Sequence, residues 1–365
     1  MNIILIILVF GVIIFFHELG HFIVAKINHI TVKEFSMGFG PKLFQFHKKE
    51  TQYTLRLIPL GGYCMMLSED DEENENDENS FEKKSIWARM AVVLAGPAMN
   101  FVIAFLFSMV IIHFCGSDPA IIGAVYNKDN IEKYQIENAE EYFNGVYPAE
   151  EAGISDGDRV LKIEGSTVKN FRELQIYLQI YGDGSPIDLT LEKEDGTVYD
   201  TTVHPAKTPD GYKIGIMSVG YQLPKNFGEL CKYSAYETRY WVKATFLSLK
   251  LIVTRQVSSD EVSGPVGVAK NMNDTFNEAA KSSVLDLFLN WMNYIVLLSA
   301  NLGVMNLLPI PGLDGGRFIF LLIEAVTRKK VPKDKENIVT LIGFVLVMLL
   351  MVVILFNDIK NVFFH

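Results

Sequence analysis

The stretch that decides the fold of this chain is FFHELGHFIVAK at Phe15–Lys26, which closes an apolar segment beginning at residue 2. Two imidazoles and a carboxylate lie together in it, at His17, Glu18 and His21. A charged side chain at the centre of a membrane costs about 2.5–3.5 kcal/mol even on the lenient insertion scale, and such residues are usually functional. The stretch therefore predicts a transmembrane helix that carries a functional site.

The composition indicates the same class of protein. Hydrophobic residue types make up 49% of the 365 residues and the mean hydropathy is positive, which is high for a soluble enzyme. The net charge of −10 argues against a nucleic-acid-binding protein, whose surface should carry a basic patch. The acidic tract SEDDEENENDENS at 68–80 predicts a solvated loop. Three widely spaced cysteines predict neither a disulfide framework nor a thiolate zinc site.

Four stretches are long and apolar enough to cross a bilayer, which takes about 20 residues. They lie at about 2–25, 90–115, 286–308 and 338–356. The first lacks the basic start and the cleavage site of a secretory signal peptide, so we expect it to be retained. Lysines and arginines are concentrated between the first two spans and between the last two. The positive-inside rule then predicts cytoplasmic basic loops, with residues 116–285 and both chain ends outside.

The spacing of His17 and His21 is that of a metal site on a helix. Residues four apart project from one face, about one turn apart, so both imidazoles can bind one metal ion. Glu18 lies beside them and can reach a water held by zinc, which lowers the pKa of that water to about 7. The carboxylate can take the proton and pass it to the leaving amine. The alternative is a helix end whose polar residues meet the lipid headgroups.

A catalytic zinc needs a third protein ligand. The only other strongly polar cluster in a span is NLGVMNLLPIPGLDGGRF, where Asp314 is the sole acid between residues 287 and 322. Pro309 and Pro311 predict a helix break before it, and broken backbone at membrane depth is tolerated only where protein or water satisfies it. The predicted topology puts Asp314 on the same side of the membrane as His21, which favours a role as the third ligand. The alternative is a helix cap beside a turn at the membrane surface.

Two further regions carry strand patterns. Residues 30–67 combine β-branched and aromatic residues with glycines, which indicates short strands and turns at the cytoplasmic face, or a plain soluble hairpin. The outer segment has alternating strands, a Gly-Asp turn and a helix from about Asn170, as expected for one small mixed domain. Beyond it, 233–253 has apolar residues at helical spacing, which fits an interfacial or a packing helix.

Together, HELGH in the first span and NLLPIPGLDGG in a late one resemble the site-2 protease family of intramembrane zinc metalloproteases. The likeness is closest to RseP-type members with a PDZ domain and covers nearly the whole chain. FSMGFGPKLF and LRLIPLGGY are similar to the family's membrane-associated β segment, AGPAMNF to its second-span motif, and SGPVGVAKN to a segment after the PDZ domain. The resemblance implies an α-helical polytopic membrane protein with four spans, a membrane-associated β segment and an inserted α+β PDZ domain.

The expected domains follow from this resemblance. Residues 1–115 would form the first half of the protease core, with the β segment 30–67 and the acidic loop 68–80, and residues 116–207 an extracytoplasmic PDZ domain. Residues 208–285 would form a segment with an amphipathic helix. Residues 286–365 would form the second half of the core, with the LDG motif at 313–315. The chain departs from the RseP type in having one PDZ turn instead of two. About 20 mostly polar residues are also inserted at about 126–146, where a PDZ domain builds its peptide-end-binding loop. We therefore expect a size filter or a docking surface for partly trimmed substrates.

The resemblance also implies roles for single residues. It makes His17, His21 and Asp314 the zinc ligands and Glu18 the catalytic base. Asn306 is implied to hold substrate near the zinc, although a carboxamide in a span can also join two helices. Asn301 and Asn100 have the same two possible roles, substrate binding and helix joining. Asn301 is a candidate substrate-binding residue, and for Asn100 we favour helix packing.

Peptide-bond cleavage in a membrane needs an unwound substrate, because a helix hides its carbonyl groups. The strand-forming stretches 38–43 and 55–63 could offer an edge to which a substrate adds as a strand. The candidate substrate-binding residues in them are Gly38, Gly40, Gly61 and Gly62.

We therefore expect a zinc endopeptidase of a bacterial plasma membrane that cuts single-span membrane proteins within or near the bilayer. An upstream site-1-type protease would first remove most of the substrate's outer part. Family likeness suggests anti-sigma factors or remnant signal peptides as substrates, and the acidic net charge predicts no nucleic-acid partner. One alternative is a catalytically inactive, PDZ-bearing membrane scaffold of the same fold, although every residue that the chemistry needs is present. Another is a transporter, although the repeats usual in transporters are not found across these spans.

Overall fold

The structure, a computed structural model, describes residues 2–67, 77–128, 143, 145–254 and 264–364. Most of the acidic tract at 68–80 and most of the insertion at 126–146 lie outside these residues, so the expectations for them stay predictions. The chain divides into two compact units. The first unit comprises residues 1–108 and 241–365, and the second comprises residues 109–240.

The helices and strands are numbered in chain order. The helices are α1 (Asn2–Ile27), α2 (Ile86–Cys115), α3 (Pro148–Glu151), α4 (Phe171–Ile180), α5 (Phe227–Val253), α6 (Pro265–Ser282), α7 (Val284–Leu307), α8 (Asp314–Thr327) and α9 (Lys333–Phe364). The strands are β1 (Val32–Lys48), β2 (Thr51–Met66), β3 (Ile122–Val125), β4 (Arg159–Ile163), β5 (Ser166–Thr167), β6 (Ile187–Glu192), β7 (Val198–Val203), β8 (Ala206–Thr208), β9 (Gly211–Lys213) and β10 (Ile216–Ser218).

Four of the described helices are long and apolar enough to cross a membrane. They are α1, α2, α7 and the Asp334–Asp358 part of α9. Each contains one of the four predicted spans almost entirely, and α2 begins at Ile86, four residues before the predicted start. The prediction of a multi-pass membrane protein with four spanning helices is therefore confirmed.

The predicted β segment is formed by the hairpin of β1 and β2, whose strands pair in short pieces. Residues 44–48 pair antiparallel with 51–55 in a regular register, and residues 34–37 lie between 52–55 on one side and 62–65 on the other. This agrees with the short strands predicted for the segment. Gly38 and Gly40 have φ values of 89° and 85° that other residues rarely adopt. Both glycines lie where β1 passes from its 34–37 segment to its 42–48 segment, which is where turns were predicted.

One buried hydrophobic cluster of the first unit lies where α1, α2, α6 and α7 meet. Its buried members are Val9, Ile13, Ile103, Met272, Phe276 and Ile295. The sequence analysis did not anticipate α6, because only one face of this helix is apolar. Its N-terminus is fixed by a buried side chain of α9: the carboxylate of Asp358 accepts hydrogen bonds from the backbone N–H groups of Gly264 (2.9 Å) and Gly267 (2.8 Å).

The second unit is a small α+β domain. Its main sheet has the antiparallel order β5-β4-β6-β7, and β10 pairs with β3 beside it. The helix predicted from about Asn170 is α4, whose first turn is capped by the Asn170 side chain accepting from the Glu173 N–H at 2.8 Å. Because β10 pairs with β3, the unit extends beyond the predicted domain end at 207. The PDZ assignment of this unit stays a prediction.

Candidate metal centre

Three side chains of the first unit converge on one point. Nε2 of His17 and Nε2 of His21 lie 3.3 Å apart, and they lie 3.2 Å and 3.4 Å, respectively, from Oδ2 of Asp314. Both histidines are buried in a helix whose residues are mostly apolar. Among the described residues these three are the group of His, Cys, Asp and Glu side chains that could hold a metal ion.

The spacing of these atoms fits zinc. Zinc bonds histidine nitrogen and carboxylate oxygen at about 2.0–2.2 Å, so the corners of a tetrahedron around it lie about 3.3–3.6 Å apart. The observed triangle of 3.2–3.4 Å matches that edge length. Asp314 Oδ2 is also buried without a hydrogen-bond partner in the described part of the chain, and a cation between it and the two nitrogens would satisfy it.

Each imidazole is held from α2 through its other ring nitrogen. Nδ1 of His21 lies 2.8 Å from the backbone oxygen of Val92, and Nδ1 of His17 lies 3.2 Å from the side-chain nitrogen of Asn100. Holding Nδ1 leaves Nε2 of both rings directed towards Asp314. Metal-binding histidines commonly have such partners, which fix the orientation of the ring.

Two glycines allow α1 and α2 to approach closely enough for these contacts. A Cβ atom on Gly20 would lie 2.3 Å from the backbone oxygen of Ala95, and one on Gly96 would lie 2.2 Å from Nε2 of His21. Gly96 and the Val92 carbonyl were missed; the family likeness of AGPAMNF was the available signal for Gly96, and Val92 lies outside that motif.

Asp314 reaches the site through a break in the chain between α7 and α8. The predicted break at Pro309 and Pro311 is confirmed, since α7 ends at Leu307 and α8 begins at Asp314. Within the break the backbone folds closely on itself: a Cβ atom on Gly316 would lie 2.4 Å from the oxygen of Ile310. The helix-cap alternative for Asp314 is not supported, because the N-cap position is Leu313 and has no side-chain capping bond.

Other elements fix the position of this break. A Cβ atom on Gly343 of α9 would lie 2.2 Å from the oxygen of Pro311, so the break rests directly on α9. The guanidinium of Arg89 on α2 donates two hydrogen bonds to the carboxylate of Glu324 on α8, at 3.1 Å and 2.5 Å. Both side chains of this ion pair are largely buried. The position of Asp314 thus depends on α2 and α9.

Glu18 lies beside the triangle rather than in it. It is close enough to interact electrostatically with His17, His21 and Asp314. Its other neighbour is β2: a Cβ atom on Gly62 would lie 3.1 Å from Cγ of Glu18. The carboxylate therefore lies between the three candidate ligands and the β hairpin.

The remaining candidate residues divide into two groups. Asn306 belongs to the site, with its side-chain nitrogen 3.4 Å from Nε2 of His17. Asn301 has a different partner, because its side-chain oxygen accepts a hydrogen bond from the Thr245 hydroxyl at 2.5 Å. That contact favours the helix-joining alternative for Asn301. For Asn100 the preference for helix packing is not supported, since its carboxamide faces His17.

The four glycines of the hairpin lie at different distances from the site. Gly62 is beside Glu18. Gly61 has a φ of 133° and lies against the ring of Phe39, where a Cβ atom would overlap the ring. A Cβ atom on Gly38 would lie 2.6 Å from the oxygen of Ile58, whereas one on Gly40 would meet nothing closer than 3.7 Å.

Comparison with known proteins identifies the family. Residues 5–350 match peptidase family M50. Zinc metalloprotease RasP of Geobacillus kaustophilus is 32% identical over 440 residues, covering 99% of this chain and 98% of that protein. Regulator of sigma-W protease RasP of Bacillus subtilis is 29% identical over 438 residues, covering 98% of each chain. A chain of Clostridium acetobutylicum, provisionally named a zinc metalloprotease, is 38% identical over 360 residues, covering 98% of this chain and 97% of its own length. This protein is therefore a member of peptidase family M50, a membrane-embedded zinc metalloprotease.

Proposed function

We propose that this protease cleaves single-span membrane proteins within or near the bilayer, with His17, His21 and Asp314 as its zinc ligands and Glu18 as its catalytic base. The observation that carries the proposal is the triangle of ligand atoms, 3.2–3.4 Å on each side. Two of its corners belong to a helix that is long and apolar enough to span a membrane.

The chemistry divides between the metal and the protein. Zinc, when bound, supplies a Lewis acid that polarises a carbonyl group and makes water more acidic. Glu18 takes a proton from the attacking water and passes it to the amine nitrogen of the leaving strand. The carboxamide nitrogen of Asn306 lies 3.4 Å from Nε2 of His17, the ring nitrogen proposed to bind zinc. From this position it can donate a hydrogen bond to the backbone of a substrate bound at the metal.

The β hairpin is proposed to hold the substrate in an extended form. A substrate strand that adds to its edge gains main-chain hydrogen bonds and exposes the scissile carbonyl group. The contact between Gly62 and Glu18 supports this, since it brings strand backbone beside the proposed base. Gly38, Gly40 and Gly61 would shape the edge through the backbone conformations that they permit.

Strand addition can be tested at Leu43, an exposed residue in the 42–48 segment of β1, which pairs on one side only, with the 51–56 part of β2. Leu43→Pro removes a backbone donor from this outer segment, whereas Leu43→Ala keeps it. We expect the proline variant to bind zinc normally and to cleave substrate much more slowly than the alanine variant. Equal cleavage by the two variants would contradict strand addition at this edge.

The proposed setting is a bacterial plasma membrane with the basic loops in the cytoplasm and residues 116–285 outside. The substrates would be anti-sigma factors or remnant signal peptides that an upstream protease has already trimmed. The name of the Bacillus subtilis relative, Regulator of sigma-W protease, supports a link with sigma-factor regulation.

The second unit is proposed to be a PDZ domain that selects trimmed substrates. It contains a cleft of about 440 Å³ between α4 and the segment 212–216, lined among others by Leu178, Tyr212 and Ile216. Tyr126 and Phe143, which flank most of the predicted insertion, also line this cleft. The cleft offers a docking surface of a size suited to a short peptide segment.

One experiment tests the substrate class and the filter together. Ser117 and Gln222 exchange backbone hydrogen bonds of 2.9 Å and 2.8 Å, so the segment between them can be replaced by a short linker without stretching the chain. Cleavage of tagged single-span proteins, with full or trimmed outer parts, would be compared before and after this excision. We expect the full chain to cut only trimmed substrates and the excised chain to cut both. Loss of all cleavage on excision would contradict a filter, and failure of the full chain on every substrate would contradict the substrate class.

A further inference from the structure

We propose that Asn100 is a positioning residue for zinc: it holds the imidazole of His17 so that Nε2 faces the metal. The inference rests on the ligand set proposed above. Asn100 belongs to α2, is completely buried, and places its carboxamide nitrogen 3.2 Å from Nδ1 of His17. This is a contact to the candidate ligand itself rather than to the helix that carries it.

The two histidines need the same kind of partner. An imidazole that binds a metal through Nε2 carries its hydrogen on Nδ1, and that N–H needs an acceptor when it is buried. For His21 the acceptor is the backbone oxygen of Val92, at 2.8 Å. For His17 the group at Nδ1 is the carboxamide of Asn100.

The carboxamide can meet this need by a half-turn about its last bond. In the orientation observed, its nitrogen faces the ring, and its oxygen is buried without a hydrogen-bond partner in the part of the chain that the structure describes. A half-turn brings the oxygen to Nδ1, where it accepts the ring N–H. When Nδ1 carries its hydrogen, the observed orientation would place two donors face to face, so zinc binding at Nε2 would favour the half-turned orientation.

A helix-packing role would predict a different contact. Asn301 has such a contact, since its side chain is hydrogen-bonded to Thr245 of another helix and not to a candidate ligand. Asn100 instead faces the ring nitrogen opposite the one directed at Asp314. The two asparagines thus have different roles, although their sequence settings are alike.

The test measures zinc affinity of the full-length chain in detergent, by competition with a chromophoric chelator and without substrate. Asn100→Leu removes the acceptor at similar size, and Asn100→Asp keeps an acceptor while removing the donor. Ser108→Ala is the matched control, because Ser108 is another completely buried polar residue of α2. We expect Asn100→Leu to bind zinc about 10–100-fold more weakly than the wild type. Asn100→Asp should bind as tightly as the wild type or more tightly, and Ser108→Ala should be unchanged.

Wild-type affinity in Asn100→Leu, or a loss in Asn100→Asp as large as in Asn100→Leu, would overturn the proposal. If Asn100→Leu does not fold, Asn100→Asp decides alone: near-wild-type affinity supports an acceptor role, and a tenfold or greater loss contradicts it. His17→Ala is measured in parallel. If it binds zinc as tightly as the wild type, the ligand set fails and this inference fails with it, whereas a failure confined to the Asn100 variants leaves the ligand set standing.

Discussion

The two sides of the candidate metal centre are built from opposite kinds of backbone. α1 is an unbroken helix, and its two histidines come together because they are four residues apart. Asp314 instead follows a break at residues 308–313 and is the first residue of α8. The break is fixed by contacts from α2 and α9. The first side depends on local geometry and the second on tertiary packing, so we expect distant changes to disturb Asp314 more than the histidines.

Removing a ligand on the α1 side should have the largest effect. His21→Ala takes away one corner of the triangle, so we expect more than a hundredfold loss of zinc affinity, beyond the 10–100-fold typical of groups that only orient a ligand. Metal content after dialysis and cleavage of a single-span substrate would both be measured. His113→Ala, at an exposed histidine in the last turn of α2, is the control and should retain both. Zinc retained by His21→Ala would contradict the ligand assignment.

Adding one methyl group between α1 and α2 should have the next largest effect. In Gly96→Ala the new Cβ would lie 2.2 Å from Nε2 of His21 and 2.7 Å from Cε1 of His17, so both rings must move. We expect a loss of zinc affinity of about 10–100-fold, as for a misoriented ligand. Ala98→Val adds volume at an exposed position of the same helix and should change little. Equal zinc affinity in the two variants would show that the rings tolerate displacement.

Breaking the ion pair that holds α8 should have a smaller effect on zinc and a measurable effect on stability. Arg89→Gln leaves the largely buried Glu324 carboxylate without its partner, which we expect to reduce stability by about 3 kcal/mol and to weaken zinc binding less than Gly96→Ala does. Thermal unfolding in detergent and zinc titration would be measured for both single variants and for Arg89→Gln combined with Glu324→Gln. The double variant should lose less stability than the sum of the two single variants. Additive losses would mean that the pair does not couple α2 to α8.

The difference between local geometry and tertiary packing also explains which features could be predicted from the sequence. The four spans and the metal-ligand spacing of His17 and His21 follow from local pattern, through apolar length and helical periodicity. The break before Asp314 is also visible, because proline and glycine have local conformational effects. The placement of Asp314 at the histidines needed a family resemblance, since no local rule brings residues 17 and 314 together.

The features that the sequence analysis missed depend on tertiary contacts. Gly96 matters only because the two imidazoles lie against it. Local pattern does not separate Asn100, Asn301 and Asn306; the family resemblance singled out Asn306, and the partners of Asn100 and Asn301 separate those two. α6 has one apolar face, so its burial among the spans is visible only where Met272 and Phe276 meet α1 and α7.

The measurement that tests the central claim most directly compares the wild type with Glu18→Gln, which changes a single carboxylate oxygen to an amide nitrogen. Zinc content and cleavage of a trimmed single-span substrate would be measured on the same purified samples. If Glu18 acts only as the base beside an intact metal centre, zinc content should be unchanged and cleavage should fall by about 10²–10⁴-fold. Wild-type cleavage by Glu18→Gln would contradict the proposed role of Glu18, and loss of zinc from this variant would show that Glu18 is needed to hold the metal.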